Sequence, residues 1–143
     1  MNDLDLLIFD LDGVVTSEQK YWNTARLTVW EMLCQPHYLG LAQHFGVDLT
    51  TPDLVLAKGE AVIGTDFITE LKNRAVNSNW DLTFFVVSLQ IVAILAQMNP
   101  VDLIAVQEEE SLIEQLETIG YLCQKQTIDH SHSQQIIQKF WQA

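Results

Sequence analysis

The sequence predicts a mainly α fold, a helical bundle that begins with a single β-strand. Three observations carry this. Residues 4–9 are a short apolar run containing Ile8 and Phe9, bounded by acids and followed by a turn at Gly13, the pattern of a strand buried on both faces. Beyond residue 16, apolar residues recur at intervals of three and four between Pro and Gly stops, with no return of strand patterns. Hydrophobic residues make up 48% of the 143, enough for the core of one domain. The expected organisation is residues 1–16 as strand and acidic motif, and residues 17–143 as the helical bundle.

The elements follow in order. Thr16 or Ser17 is positioned to cap a helix, with Gln19 three residues after Thr16. Trp22, Ala25, Val29 and Leu33 form its apolar face, and Pro36 ends it. A short helix over residues 38–45 closes at Gly46, a natural left-handed cap. Residues 47–64 hold Pro52, Gly59 and Gly64 and are the least regular stretch, with a short helix near residues 54–57. Thr65 or Asp66 caps a helix that buries Phe67, Ile68, Leu71, Ala75 and Val76, and Asn77-Ser78-Asn79 breaks it. Asp81 caps a very apolar helix that runs to Gln97, and Asn99-Pro100 ends it. Residues 108–119 read as an amphipathic helix with Leu112, Ile113, Leu116 and Ile119 on one side and Gly120 as its stop. Its three leading glutamates complement the positive end of the helix dipole. Ser131 or Ser133 begins a last helix with Ile136, Ile137, Phe140 and Trp141. The count is one strand and five to seven helices.

Composition excludes several function classes. Seven Lys and Arg stand against 19 Asp and Glu, for a net charge of −12. Such a surface repels nucleic acid and anionic membranes, so neither is an expected partner. The longest apolar run, residues 82–98, is interrupted by Thr83, Ser88 and Gln90 and is shorter than the roughly 20 residues of a membrane span. Cys34 and Cys123 are far apart and lack metal-ligand spacing, which leads to the expectation of a reduced, cytoplasmic protein. The N-terminus has early acids and no basic segment, unlike a signal peptide.

Residues 6–16, Leu-Leu-Ile-Phe-Asp-Leu-Asp-Gly-Val-Val-Thr, hold the chemistry. Side chains alternate along a strand, so Asp10 and Asp12 face the same way. Two carboxylates held close ionise together only beside a cation, which points to Mg²⁺ with a phosphate ligand. The suited reaction is covalent phosphoryl transfer, with Asp10 as the nucleophile on phosphorus. Asp12 then acts as the acid for the leaving oxygen and the base for water. Gly13 lets the backbone turn close to the phosphate. A calcium loop also opens Asp-x-Asp but needs glycine sixth and glutamate twelfth. Here glycine is fourth and Tyr21 twelfth.

The run Ile-Phe-Asp-Leu-Asp-Gly-Val-Val-Thr-Ser resembles motif I of the haloacid dehalogenase-like (HAD) superfamily, mostly Mg²⁺-dependent phosphatases. The resemblance makes residues 4–9 the first strand of a HAD-like α/β core, and the following helices are similar in position to the α-helical cap inserted after that strand. It implies Asp10 as nucleophile and Asp12 as acid/base. It also implies that the Asp10 carboxylate and the Asp12 backbone carbonyl ligate Mg²⁺, with a small phosphorylated metabolite as substrate.

The superfamily also uses a Ser or Thr after a second apolar strand, a Lys and further acids. Phe84-Phe85-Val86-Val87-Ser88 imitates the second of these motifs but sits within a helical run. Residues 116–127 imitate the approach to Thr127, yet residues 122–126 are too polar for a central strand. The chain therefore reads as the N-terminal portion of such an enzyme, as in a truncated gene or a proteolytic fragment, with little turnover alone. The rival expectation is a non-catalytic helical association domain that retains motif I as a relic. The strand at residues 4–9 needs a partner for its backbone groups, either the bundle or a second copy in a homodimer. Other candidates read more simply as structure: Lys58-Gly59 as an exposed turn, and Arg74 with Asn77-Ser78-Asn79-Trp80 as capping beside a packed Trp. Asp129, His130 and His132 read as a solvated linker, and the four tryptophans as core or interface.

Overall fold

A computed structural model describes residues 18–45 and 51–142, together with position 8. Motif I, with Asp10 and Asp12, lies outside the described residues, as does Gly46. The described chain is mainly helical, as expected. Seven α-helices run in order: α1 Glu18–Cys34, α2 Pro52–Ala57, α3 Thr65–Asn73, α4 Asn79–Leu95, α5 Pro100–Gln107, α6 Leu112–Lys125 and α7 His130–Gln142. Short 3-10 turns at Ala42–Phe45 and Gly59–Ala61 join them.

α4 is the axis of the bundle. It packs lengthwise against α1 on one side and α7 on another, while α2 lies on α1 and α5 on α6. The α1 stripe of Trp22, Ala25, Val29 and Leu33 is buried at helical spacing, as its periodicity predicts. It meets Leu82, Val86 and Ile94 of α4 in the main core. Ala93, fully buried, lets α7 come close, so that Leu89 and Ile137 pack beside it in a smaller cluster. Burial against α1 and α7 explains part of the apolar surface of α4, while Trp80, Phe84, Phe85 and Val92 leave an exposed apolar side. No helix among the described residues is long and apolar enough to cross a membrane.

Several boundaries differ from the sequence reading, each for a local reason. The turn after α1 is closed by Gly40 at φ +65°, and only residues Ala42–Phe45 of the expected 38–45 helix form, as a 3-10 turn. The α3 N-cap is Gly64, not Thr65 or Asp66. The Thr65 hydroxyl and N–H are engaged by the Glu60 carboxylate instead. α3 stops at Asn73, so Ala75 is exposed in the left-handed region at φ 64° instead of lying on a buried helical face.

Ser78, not Asp81, caps α4, its Oγ accepting from the Asp81 N–H at 3.0 Å. α4 ends at Leu95, short of the expected Gln97, and Asn99-Pro100 instead starts α5, a helix the periodicity did not separate. Asn99 is its N-cap and Pro100 its first residue. α6 opens with a reciprocal box of Ser111 and Glu114, so the three leading glutamates precede the helix. Leu112 and Ile113 face outward rather than inward. Gly120 sits inside α6, where a Cβ would lie 3.0 Å from the Leu39 carbonyl oxygen. Its role is close packing, not termination. α7 begins at His130, and the Asp129 carboxylate accepts from the Ser131 and His132 N–H groups at 2.9 and 3.3 Å.

Candidate functional site

In the sequence, Asp10 and Asp12 precede the first residue of α1, Glu18. Asp12 lies six positions before Glu18, a reach of at most about 21 Å even for fully extended chain. The α1 N-terminus is therefore the described helix end nearest the acidic motif along the chain.

That end is tied down by Tyr21. Its hydroxyl accepts from the Asn79 N–H at 2.8 Å and donates to the Asn77 carbonyl at 3.2 Å. The ring edge of Tyr21 meets Trp22, with centroids 5.0 Å apart. The Lys72 ammonium lies 5.4 Å from the centre of the Trp22 ring, a cation–π distance. Arg74 pairs with Glu70 at 2.7 Å. The Asn79 side-chain oxygen is buried there with no hydrogen-bond partner. Lys72 and Asn79 thus meet the first turns of α1, a cation over Trp22 and a backbone donor on Tyr21.

The other sequence candidates fall elsewhere. Lys58 is exposed, as expected, but Gly59 is buried. A Cβ there would meet the Arg26 Cδ at 2.8 Å, so this glycine makes room for Arg26 rather than forming an open turn. Trp22 and Trp30 are core residues, whereas Trp80 is 84% exposed and not packed as its neighbours implied. His130 is not in a linker: it starts α7 and rests against Phe45, centroids 4.9 Å apart. Burial holds its pKa below the ordinary value, against the opposing pull of Asp129. Among the described residues no group of three or more His, Cys, Asp or Glu converges on a metal-sized point. The Mg²⁺ reading therefore rests on Asp10 and Asp12. Both imitations of the second motif are helical, residues 84–88 within α4 and 122–125 within α6.

Arg26 is a site residue that sequence reasoning missed. From the middle of α1 its Nε donates to the Ile63 carbonyl at 3.3 Å and its Nη2 to the Thr65 hydroxyl at 3.2 Å, with Glu60 at 3.8 Å. Hydrogen bonds from the Thr65 hydroxyl and N–H, opposed by partial burial and aided by Arg26, hold the Glu60 carboxyl below its usual range. This node fixes the loop before α3 and with it one wall of a cavity of about 330 Å³ between that loop, α3, α4 and α7. Besides a local bond from Nη1 to Asn23 at 3.4 Å, its partners Glu60, Ile63 and Thr65 lie more than 30 residues away in sequence, so only the fold identifies Arg26. Set against family models, characterised proteins and solved structures, the chain matches none of them.

Proposed function

We propose that this chain carries the nucleophile and the acid/base of a HAD-like, Mg²⁺-dependent phosphohydrolase acting on a small phosphorylated metabolite. The observation that carries the reading is the run at residues 6–16, in which an apolar strand delivers Asp10 and Asp12 to a glycine turn. Support comes from the helical body that follows it in the sequence and from the Lys72 ammonium beside Trp22 in the first turns of α1.

In this reading residues 4–9 form the strand. The Asp10 carboxylate attacks phosphorus, the ester P–O bond breaks, and Asp12 protonates the departing oxygen. Asp12 then takes a proton from the water that attacks the aspartyl phosphate. Inorganic phosphate leaves and Asp10 is restored. Bound Mg²⁺ supplies neutralisation of phosphate charge. The superfamily's lysine and later acids have no assigned counterpart in this chain, so turnover is expected to be small.

The test is hydrolysis of p-nitrophenyl phosphate with and without Mg²⁺. Mg²⁺-dependent release that falls at least a hundredfold in Asp10→Asn supports the reading. Equal silence of wild type and variant, both folded by circular dichroism, removes it.

A second reading is favoured by a specific observation. Trp80 and Phe84, one turn apart on α4, are 84% and 67% exposed, and Leu112 and Ile113 are each 70% exposed. Large apolar side chains left in water mark association surfaces. A non-catalytic association domain predicts a concentration-dependent mass in sedimentation that Trp80→Ser with Phe84→Ser abolishes.

A further inference from the structure

An apolar face lies at the tip of the hairpin formed by α5 and α6. These helices pack on each other and are joined by residues 108–111. Ile104 stands one turn before the end of α5 and is 53% exposed. Leu112 and Ile113 open α6 and are each 70% exposed. Three large aliphatic side chains grouped around one turn and left in water mark an association surface rather than scattered exposure.

Charge supplies the second observation, and it selects what covers this face. Glu108 follows Ile104 by one helical turn, and Glu117 follows Ile113 by one. Residues four apart on a helix are surface neighbours. Both glutamates are exposed, as is Glu110 in the turn between them. Glu109 and Glu114 hold the turn itself, accepting from the Thr118 hydroxyl at 2.9 Å and the Ser111 N–H at 3.0 Å. From Ala75 to Gln124 the sequence contains no Lys, Arg or His. The tip therefore offers carboxylates around an apolar centre, and its own helices contribute no cation before Lys125.

A second copy of the chain would set these acids against their own equivalents, a like-charge contact that association disfavours. A neutral apolar partner would cover the centre and gain nothing from the rim. A cationic amphipathic helix matches both parts. Its apolar stripe covers Ile104, Leu112 and Ile113, and its flanking Lys and Arg meet Glu108, Glu110 and Glu117.

We propose that the α5–α6 tip is a docking surface for a basic amphipathic helix of a partner protein. The proposal goes beyond both readings of function. It needs neither the chemistry of Asp10 nor the Trp80 and Phe84 face on which self-association is tested.

Fluorescence anisotropy of a labelled leucine–lysine peptide with amphipathic helical spacing, about 18 residues or five turns long, tests the surface when titrated with the full chain. The counterparts are the same peptide with glutamate for every lysine, and a leucine–lysine peptide of equal composition without a continuous apolar face. Saturable binding of the first peptide is expected, at least tenfold tighter than of either counterpart and weakened by added salt. Leu112→Ser with Ile113→Ser should weaken it at least tenfold. Glu108→Gln, Glu110→Gln and Glu117→Gln, combined in a second variant, should weaken it at least fivefold. Both variants should melt within a few degrees of wild type, because all five side chains are exposed. Asp53→Asn with Asp66→Asn, exposed acids on α2 and α3, should change affinity less than twofold. No saturable binding, equal affinity for a counterpart, an equal loss from the α2 and α3 pair, or affinity unchanged in either tip variant would each overturn the proposal. So would a dimer of the chain alone, seen by sedimentation, that Leu112→Ser with Ile113→Ser dissolves, since a second copy would then be the occupant.

Discussion

The hydroxyl of Tyr21 and the backbone N–H of Asn79, 58 residues apart in sequence, are joined by a 2.8 Å hydrogen bond. The same hydroxyl donates to the Asn77 carbonyl, so one side chain of α1 satisfies a donor and an acceptor in the link that leads into α4. Tyr21→Phe keeps the ring against Trp22 and removes both bonds. The expected loss is about 1–2 kcal/mol, read as a lower urea midpoint with an unchanged m-value. A midpoint equal to wild type would show that water replaces the hydroxyl at no cost.

Ala75 occupies a position that glycine fills more easily. Its φ of 64° ends α3 in the left-handed region, which costs an L-residue about 1–2 kcal/mol. Ala75→Gly relieves that cost and gives part of it back as unfolded-chain entropy. A net gain of about 0.5 kcal/mol is expected, seen as a small rise in melting temperature.

Gly120 shows the opposite case. A Cβ would meet the Leu39 carbonyl oxygen at 3.0 Å and the Leu39 Cα at 3.4 Å, both backbone atoms with little room to yield. Gly120→Ala should therefore destabilise by about 1–3 kcal/mol despite the better helix propensity of alanine. Thermal unfolding of the pair Gly120→Ala and Ala75→Gly, which face different neighbours, should shift in opposite directions.

His44 and His130 make the fold sensitive to mild acid. Burial lowers both pKa values from the ordinary 6.5, opposed at His44 by the Cys123 backbone and at His130 by Asp129. The His44 Nε2 is also buried without a hydrogen-bond partner. Below pH 6.5 the unfolded chain takes up protons that the folded chain refuses, so stability is full above that pH and declines as pH falls toward the folded values. Melting temperature should drop between pH 7.5 and 5.5, and His44→Gln should flatten that slope. A further decline below pH 4.5 belongs to Glu60, whose folded carboxyl is held below that value by Thr65.

The thiols should be silent in the native state. Burial pushes Cys34 up to about 12 and Cys123 up to about 11, and the thiolate is the reactive form. Modification by a chromogenic disulfide at pH 8 should be negligible over minutes and should reach two thiols per chain in 6 M guanidinium.

Helix periodicity was legible wherever one face alone is buried. The α1 stripe from Trp22 to Leu33 and the breaks at Pro36 and Asn99-Pro100 are local patterns, and local patterns survive folding. Caps were read one to three residues late, at Thr65 and Asp81, because several polar residues compete at each site. Which one wins depends on a distant partner such as Glu60. Gly120 and Gly59 were misread for a related reason. A glycine that ends an element and one that admits a neighbour look the same until Leu39 or Arg26 is in place. The acidic motif was legible as chemistry from its own spacing. The cavity was not, since its lining is drawn from the loop before α3 and from α3, α4 and α7, which only the fold brings together.

The buried faces of α4 depend on helices far away in sequence. Leu82, Val86, Leu89, Ala93 and Ile94 need α1, α7 or both before they are covered. A chain with such an axis has no stable half, because the first fifty residues and the last fifty each lack the surface against which they would fold. Assembly is then a single cooperative event whose nucleus joins α1 to α4 across a loop of more than forty residues, and the closure entropy of that loop sets its pace. The slowest-exchanging amides should lie in α4, and a cut anywhere between α1 and α4 should yield two pieces that fold only together.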